Sequence, residues 1–294
     1  MDDYPDQVPF HALIRRDTAT PQPRLIRRHC LSTRLWHWLN ALVMLVMVMS
    51  GLMIFNAHPR LYWGAYGAND DAAWLEIGAW VDAAGRNHGG VTLMNRTWET
   101  TGVLGLSRGS DGAELALAFP GWVTLPSTYD LALGRSWHLA GALVLAWGLL
   151  AYLLWSLVNG HWRDWHITRA QWHPLAIWRD LRAHLRLPVA LAEHYGVVQK
   201  LAYAGVLFGL LPLMIASGLA MAPGVDAGLP WIVDMFGGRQ SARSVHFIGM
   251  AGLVLFVLVH LVMVLASGPL NQMRGMITGH MRVPPSHPSE EDAP

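Results

Sequence analysis

RSVHFIGMAGLVLFVLVH, residues 243–260, decides the fold. The stretch is oily enough to lie in hydrocarbon, yet it carries His246 near one end and His260 at the other. An ionisable side chain inside a membrane is costly, and such residues usually have a bound partner or a functional role. On a helix, fourteen residues at about 1.5 Å each span roughly 21 Å, and at about 100° per residue they stop about 40° short of four full turns. One helix therefore presents two imidazoles on one face, at two depths.

Three further apolar runs match this one. The four cover approximately 35–56, 136–158, 201–221 and 245–267, each near the 20 or so helical residues that cross a bilayer. Across the 294 residues, 53% are apolar and 14% charged, a balance that points to an integral membrane protein. The fold expected is an all-α membrane protein, a four-helix bundle. Segments 1–34, 159–200 and 269–294 hold fourteen of the twenty-one Lys and Arg residues, so positive-inside counting puts both termini in the cytoplasm. The organisation expected is a cytoplasmic arm over 1–33, a transmembrane domain over 34–268 and a cytoplasmic tail over 269–294. The first apolar run follows about 34 polar residues without a small-residue cleavage site, so it is expected to stay as a helix.

The loop over 57–133 is too long to be a mere connection and is expected to fold as a small periplasmic cap. Within it, TTGVLGLSRGSDGAELALAF (100–119) predicts two short strands around a turn. Its tryptophans Trp63, Trp74, Trp80, Trp98 and Trp122 suit either the headgroup layer or a partner's surface. In the cytoplasmic loop 159–200, PLAIWRDLRAHLRLP sets Leu175, Trp178, Leu181 and Leu185 along one helical face, the pattern of a helix lying on a membrane surface. MSGLMI in the first span is echoed by ASGLAM in the third, and RSWHLAG in the second by RSVHFIG in the fourth. Counted this way, His37 falls opposite Ala204 and His260 opposite Tyr152.

Of fifteen histidines, four fall within spans: His37, His138, His246 and His260. Spans run alternately in and out, so His37 and His260 share the cytoplasmic depth, while His138 and His246 share the outer depth. Two imidazoles from two apolar helices suit a b-type haem held without covalent attachment; zinc asks for more protein ligands. The one cysteine, Cys30, excludes a C-x-x-C-H haem attachment and an intrachain disulfide. Gly141 and Gly249 each follow a candidate ligand by three positions, and Gly51 lies fourteen beyond His37, where missing side chains leave room for a flat macrocycle. Arg34, Arg135 and Arg243 each precede a histidine by three, placed either to pair with haem propionates or to snorkel to headgroups. No nucleophile, acid–base pair, nucleotide fingerprint or nucleic-acid-binding pattern stands out.

With RLWHWLNAL, SGLMIFNAHPRLYWG, GRSWHLAG, HYGVVQKLAY, LPLMIASGLAM and ARSVHFIGMAGLVLFVLVH in hand, the chain resembles the bacterial four-helix di-haem cytochrome b family. That family includes membrane subunits of nickel-iron hydrogenase, formate dehydrogenase and thiosulfate reductase. The resemblance implies that His37 and His260 hold one haem and His138 and His246 the other. It also implies an inner-membrane subunit passing electrons between quinone and a periplasmic oxidoreductase of the molybdopterin-dependent kind. By the same analogy Tyr195, Gln199, Lys200 and Asn159 are hydrogen-bonding candidates for quinone. A stand-alone haem oxidoreductase acting on a small molecule such as superoxide is the rival expectation.

Overall fold

The computed structural model describes residues 24–109, 111–160, 173–185 and 196–283. Four helical stretches are long and apolar enough to cross a membrane: Leu31–Phe55, Leu131–Val158, Val197–Ala220 and Arg239–Ala266. Each begins four to six residues before its apolar run, because the polar first turns, with Arg34, Arg135 and Arg243, stay helical outside the oily stretch. The first is α1 (Leu31–Phe55) and the second α2 (Leu131–Val158), which starts at an N-cap, Asp130, whose carboxylate accepts from Leu133 N at 2.9 Å. The third is composite: α4 (Val197–Ala204), a π-helical segment (Gly205–Leu210) and α5 (Leu211–Ala220). Pro212 is the cause. It has no N–H for the preceding turn, and the ladder widens before it, with Leu211 N reaching back five residues to Val206 O. The fourth span is α8 (Arg239–Ala266).

α1 packs along α2, and α5 along α8, giving two antiparallel hairpins. Their shared core is Val43, Leu145, Leu149, Leu211, Met214 and Leu253. The outward faces carry uncovered Leu143, Trp147, Leu154, Leu255 and Leu258, as a lipid-facing surface requires.

Between α1 and α2 the chain builds a cap richer in strands than the sequence suggested. β2 (Arg60–Leu61), β3 (Leu75–Val81), β4 (Asn87–Leu93) and β5 (Arg96–Glu99) form an antiparallel sheet in chain order. In LEIGAWV, Leu75 and Ile77 are buried while Glu76 turns away, the period of two of a half-buried strand. The strands expected over 100–119 are present as a small hairpin, β6 (Ser107–Arg108) with β7 (Glu114–Leu115). Of the five loop tryptophans, Trp74 is partly buried against the cap core, and Trp63 stacks on it at 5.8 Å. Trp63, Trp80, Trp98 and Trp122 are exposed.

The cap is bolted to the bundle. Phe55 of α1 and Phe247 of α8 join Leu61, Leu75 and Ile77 in one cluster. Ser244 of α8, fully buried, accepts from Trp74 Nε1 at 2.9 Å and donates to Tyr62 O. Asn56 bonds both ways to the Phe119 backbone, and Gly64 O receives Gln240 N and Ser241 N at the start of α8. Short helices α6 (Pro223–Gly228) and α7 (Trp231–Met235) close the same end.

The opposite end, called the tail end below, holds α3 (Pro174–Leu185), α9 (Pro269–Thr278) and a strand pair the sequence did not announce, β1 (Arg24–Arg27) against β8 (His280–Val283). α3 leaves Leu175, Trp178 and Leu181 uncovered, and its Asp180 accepts from Val198 N at 2.7 Å, docking it on the third span.

Candidate functional site

The structure brings the four span histidines together in two pairs. His37 of α1 and His260 of α8 have ring centres 6.3 Å apart, at 55°. His138 of α2 and His246 of α8 have ring centres 6.2 Å apart, at 65°. The first pair lies at the tail end and the second at the cap end, joined by α8.

Each spacing fits one metal ion held between two imidazoles. A metal–imidazole bond of roughly 2 Å on either side, with about 1 Å more from each nitrogen to its ring centre, brings the centres to roughly 6 Å. Among the described residues no group of three or more His, Cys, Asp or Glu side chains converges as a metal site. A metal held here must bring its remaining ligands with it, as porphyrin iron does. His37 Nδ1 is buried without a hydrogen bond among the described residues, an orphan of the kind found beside a missing partner.

Residues that the sequence reading did not single out hold the cap-end pair. His138 Nδ1 lies 3.1 Å from Met47 O and 3.2 Å from Ser50 Oγ. His246 Nδ1 lies 2.9 Å from Ser217 Oγ. A carbonyl only accepts, so His138 Nδ1 carries the proton and Nε2 keeps the lone pair a metal needs. Each serine hydroxyl also donates along its own helix, Ser50 to Val46 O at 2.6 Å and Ser217 to Leu213 O at 2.7 Å. The signal was in the echo: Ser50-Gly51 and Ser217-Gly218 are its matching letters.

The glycines divide. A Cβ on Gly51 would stand 3.3 Å from His138 Cε1, and one on Gly218 3.5 Å from His246 Cε1, so both leave space beside an imidazole. Gly141 and Gly249 instead face the sulfurs of Met47 and Met214, where a Cβ would sit at 2.8 and 2.7 Å. They let paired helices approach closely.

The arginines have separate surroundings. Arg34 Nε donates to Met276 O at 3.4 Å and a terminal nitrogen bonds Ile277 O, so its guanidinium closes the C-terminus of α9. Arg243 lies over the Phe55 ring and donates to the main-chain oxygen of His58. His58, a loop histidine in the sequence reading, has a buried Nε2 without a hydrogen bond among the described residues. Burial, then the charges of Arg243 and Arg60, push its pKa below the usual imidazole value. Arg135 is exposed on α2. Of the quinone candidates, Tyr195 lies outside the described residues. Gln199 donates to Tyr203 at 3.1 Å, while Lys200 and Asn159 lie at the same tail end.

Residues 28–279 match the family described as prokaryotic cytochrome b561. The chain belongs to that family. It is thus a multi-pass membrane cytochrome b, an electron-transfer subunit whose prosthetic group is b-type haem. Among curated relatives, a putative protein-methionine-sulfoxide reductase subunit YedZ1 of Azospira oryzae is 36% identical over 149 residues, 49% of this chain and 70% of that protein. A probable Ni/Fe-hydrogenase B-type cytochrome subunit of Azotobacter chroococcum is 28% identical over 137 residues, 42% of this chain and 56% of the relative. Its counterpart in Azotobacter vinelandii is 29% identical over the same length. No solved structure matches. The spacing of each imidazole pair fits a haem iron between the two rings.

Proposed function

We propose that this cytochrome carries two non-covalent b haems and passes electrons across the membrane between a redox enzyme docked on the cap and quinone at the tail end. The observation that carries the reading is the pair of imidazole pairs, 6.2 and 6.3 Å between ring centres, strung on one helix. His138 and His246 would hold the cap-end haem, and His37 and His260 the other. Bound there, haem supplies reversible one-electron chemistry.

The chain's own residues do the rest. α8 fixes the separation of the two sites by helix pitch, and the cap-end imidazoles are held in one tautomer by carbonyl and serine. We take Arg135 and Arg243, one turn toward the cap from His138 and His246, as the partners of the propionates. Uncovered Trp63, Trp98 and Trp122 offer the aromatic surface typical of a protein contact. Both kinds of relative are named as subunits of redox enzymes, which supports a partner. We take that partner to be periplasmic and molybdopterin-dependent, as the resemblance implies. The concentration of Lys and Arg in 1–34, 159–200 and 269–294 supports an inner-membrane orientation with both termini cytoplasmic.

Haem extraction and reduced-minus-oxidised spectra of detergent-purified protein test the reading. Two b haems per chain are expected, His260→Ala leaving one and His138→Ala leaving the other, with distinguishable spectra. One haem per chain in the wild type, or loss of the same haem in both variants, would refute it.

A further inference from the structure

The two histidine pairs differ in what stands behind them. At the cap end both imidazoles have an oxygen at hydrogen-bond distance from Nδ1: Met47 O and Ser50 Oγ for His138, Ser217 Oγ for His246. At the tail end His37 Nδ1 is buried without a hydrogen bond among the described residues, and the His260 ring stacks on Phe256 at 6.2 Å. Ser50 and Ser217 are each 0% exposed. Their hydroxyl protons are directed to Val46 O and Leu213 O, so toward the imidazole each oxygen offers a lone pair. Two serines in equivalent helices, each spanning the same kind of helix pair to reach a histidine, make a matched clamp.

Resting on the haem reading above, we propose that Ser50 and Ser217 are positioning residues that set the reduction potential of the cap-end haem. An acceptor behind Nδ1–H fixes ring orientation and makes the ligating nitrogen more basic. A more basic ligand favours the ferric over the ferrous ion, so the clamp lowers the potential of this site and leaves the tail-end site untouched. The haem exchanges one electron with its redox partner, and no proton leaves either imidazole. Hydrogen bonding beyond the ligands is among the means by which a protein tunes haem.

The test is a mediated redox titration of purified full-length protein, wild type against Ser50→Ala, Ser217→Ala and the double variant. The cap-end haem is identified as the component that His138→Ala removes. At a fixed ambient potential on its titration curve, the reduced-to-oxidised ratio of that haem should rise several-fold in the double variant and less in each single one. The other haem should not move. Ser50→Thr and Ser217→Thr keep a hydroxyl that bonds back along the helix, and should stay near the wild-type ratio. If alanine empties the cap-end site while threonine keeps it filled at the wild-type ratio, the clamp is upheld as the element that seats the ligands. Ser156→Ala, at a buried α2 serine whose Oγ has no hydrogen bond among the described residues, controls for lost volume. Two haems present with the cap-end ratio unchanged in the double variant overturn this inference alone. An equal shift of both haems, or the same shift in Ser156→Ala, overturns it as well. A wild type without two haems overturns the reading beneath it.

Discussion

Gly51 lies closer to its imidazole than Gly218 does: with 3.3 Å between a would-be Cβ and His138 Cε1, the ring can yield to a methyl group but not to a branched chain. Gly51→Ala should keep full haem content. Gly51→Leu should lose the cap-end haem and overpack α1 against α2 by about 1–3 kcal/mol, read by haem extraction and thermal melting. On the cap, His88 stacks on Trp80 and sits between Glu99 at 2.8 Å and Asp82 at 3.1 Å. Those carboxylates, Glu99 first, raise its pKa above 6.5. The Arg86 backbone and then His88 pull Asp82 down to about 2. A raised histidine stabilises below its unfolded pKa and loses that contribution as pH climbs through the folded value. A lowered aspartate stabilises above its unfolded value of about 3.9 and loses that contribution as pH falls toward 2. The cap should therefore melt highest between about pH 4 and 6.5, and His88→Gln should flatten the alkaline side in a thermal-melt series. The effect is small, because the trio is open to solvent. The span histidines were legible because a polar residue in an oily run stands out. Ser50 and Ser217 were not, because a serine bonded back along its own helix reads like any other buried small residue.

At the scale of elements, the β4–β5 hairpin turns on Met94 and Asn95, both at positive φ, 44° and 70°. Two consecutive left-handed residues make the turn that favours Asn-Gly, and a methionine there bears a steric cost of about 1–2 kcal/mol. Replacing Met94-Asn95 by Asn-Gly should raise the melting temperature of the cap without altering haem content. The sheet itself was hidden because LEIGAWV and HGGVTL are short, and Gly89 and Gly90 break the alternation that marks a strand. Gly89 is required there: a Cβ would collide with Leu104 O, where the following loop crosses the sheet. The spans were plain from hydropathy, but not the widened turn in the third, since a lone proline does not say how the ladder will open around it. The pairing of β1 with β8 joins residues more than 250 apart in sequence, and local pattern carries no trace of such contacts.

At the scale of the whole molecule, exposed tryptophans mark the cap and Arg24, Arg27, Arg34, Arg179, Arg182, Arg274 and Arg282 stand at the other end, so the orientation is open to a labelling test. In a Cys30→Ser background, cysteine placed at exposed Val103 should react with an impermeant maleimide in intact cells. Native Cys30, beside α1 at the tail end, should react only after permeabilisation. The reverse pattern would invert the orientation and with it the proposed side of the partner.

The widened turn in the third span alters how the two halves of the bundle correspond. A π segment amounts to one inserted residue, so counting back from Ser217 the residue that occupies the place of His37 is Tyr203 and not the Ala204 of the ungapped echo. On the other hairpin, the counterpart of His260 is Tyr152, which lies flat on Trp36 at 5.2 Å. In the echo His138 and His246 are each other's counterparts, whereas the counterparts of His37 and His260 are two tyrosines. On the proposed reading the echo is therefore uneven: one flank carries a histidine pair for haem, the other carries two tyrosines at the matching places, and the electron path would run along the side of α1 and α8.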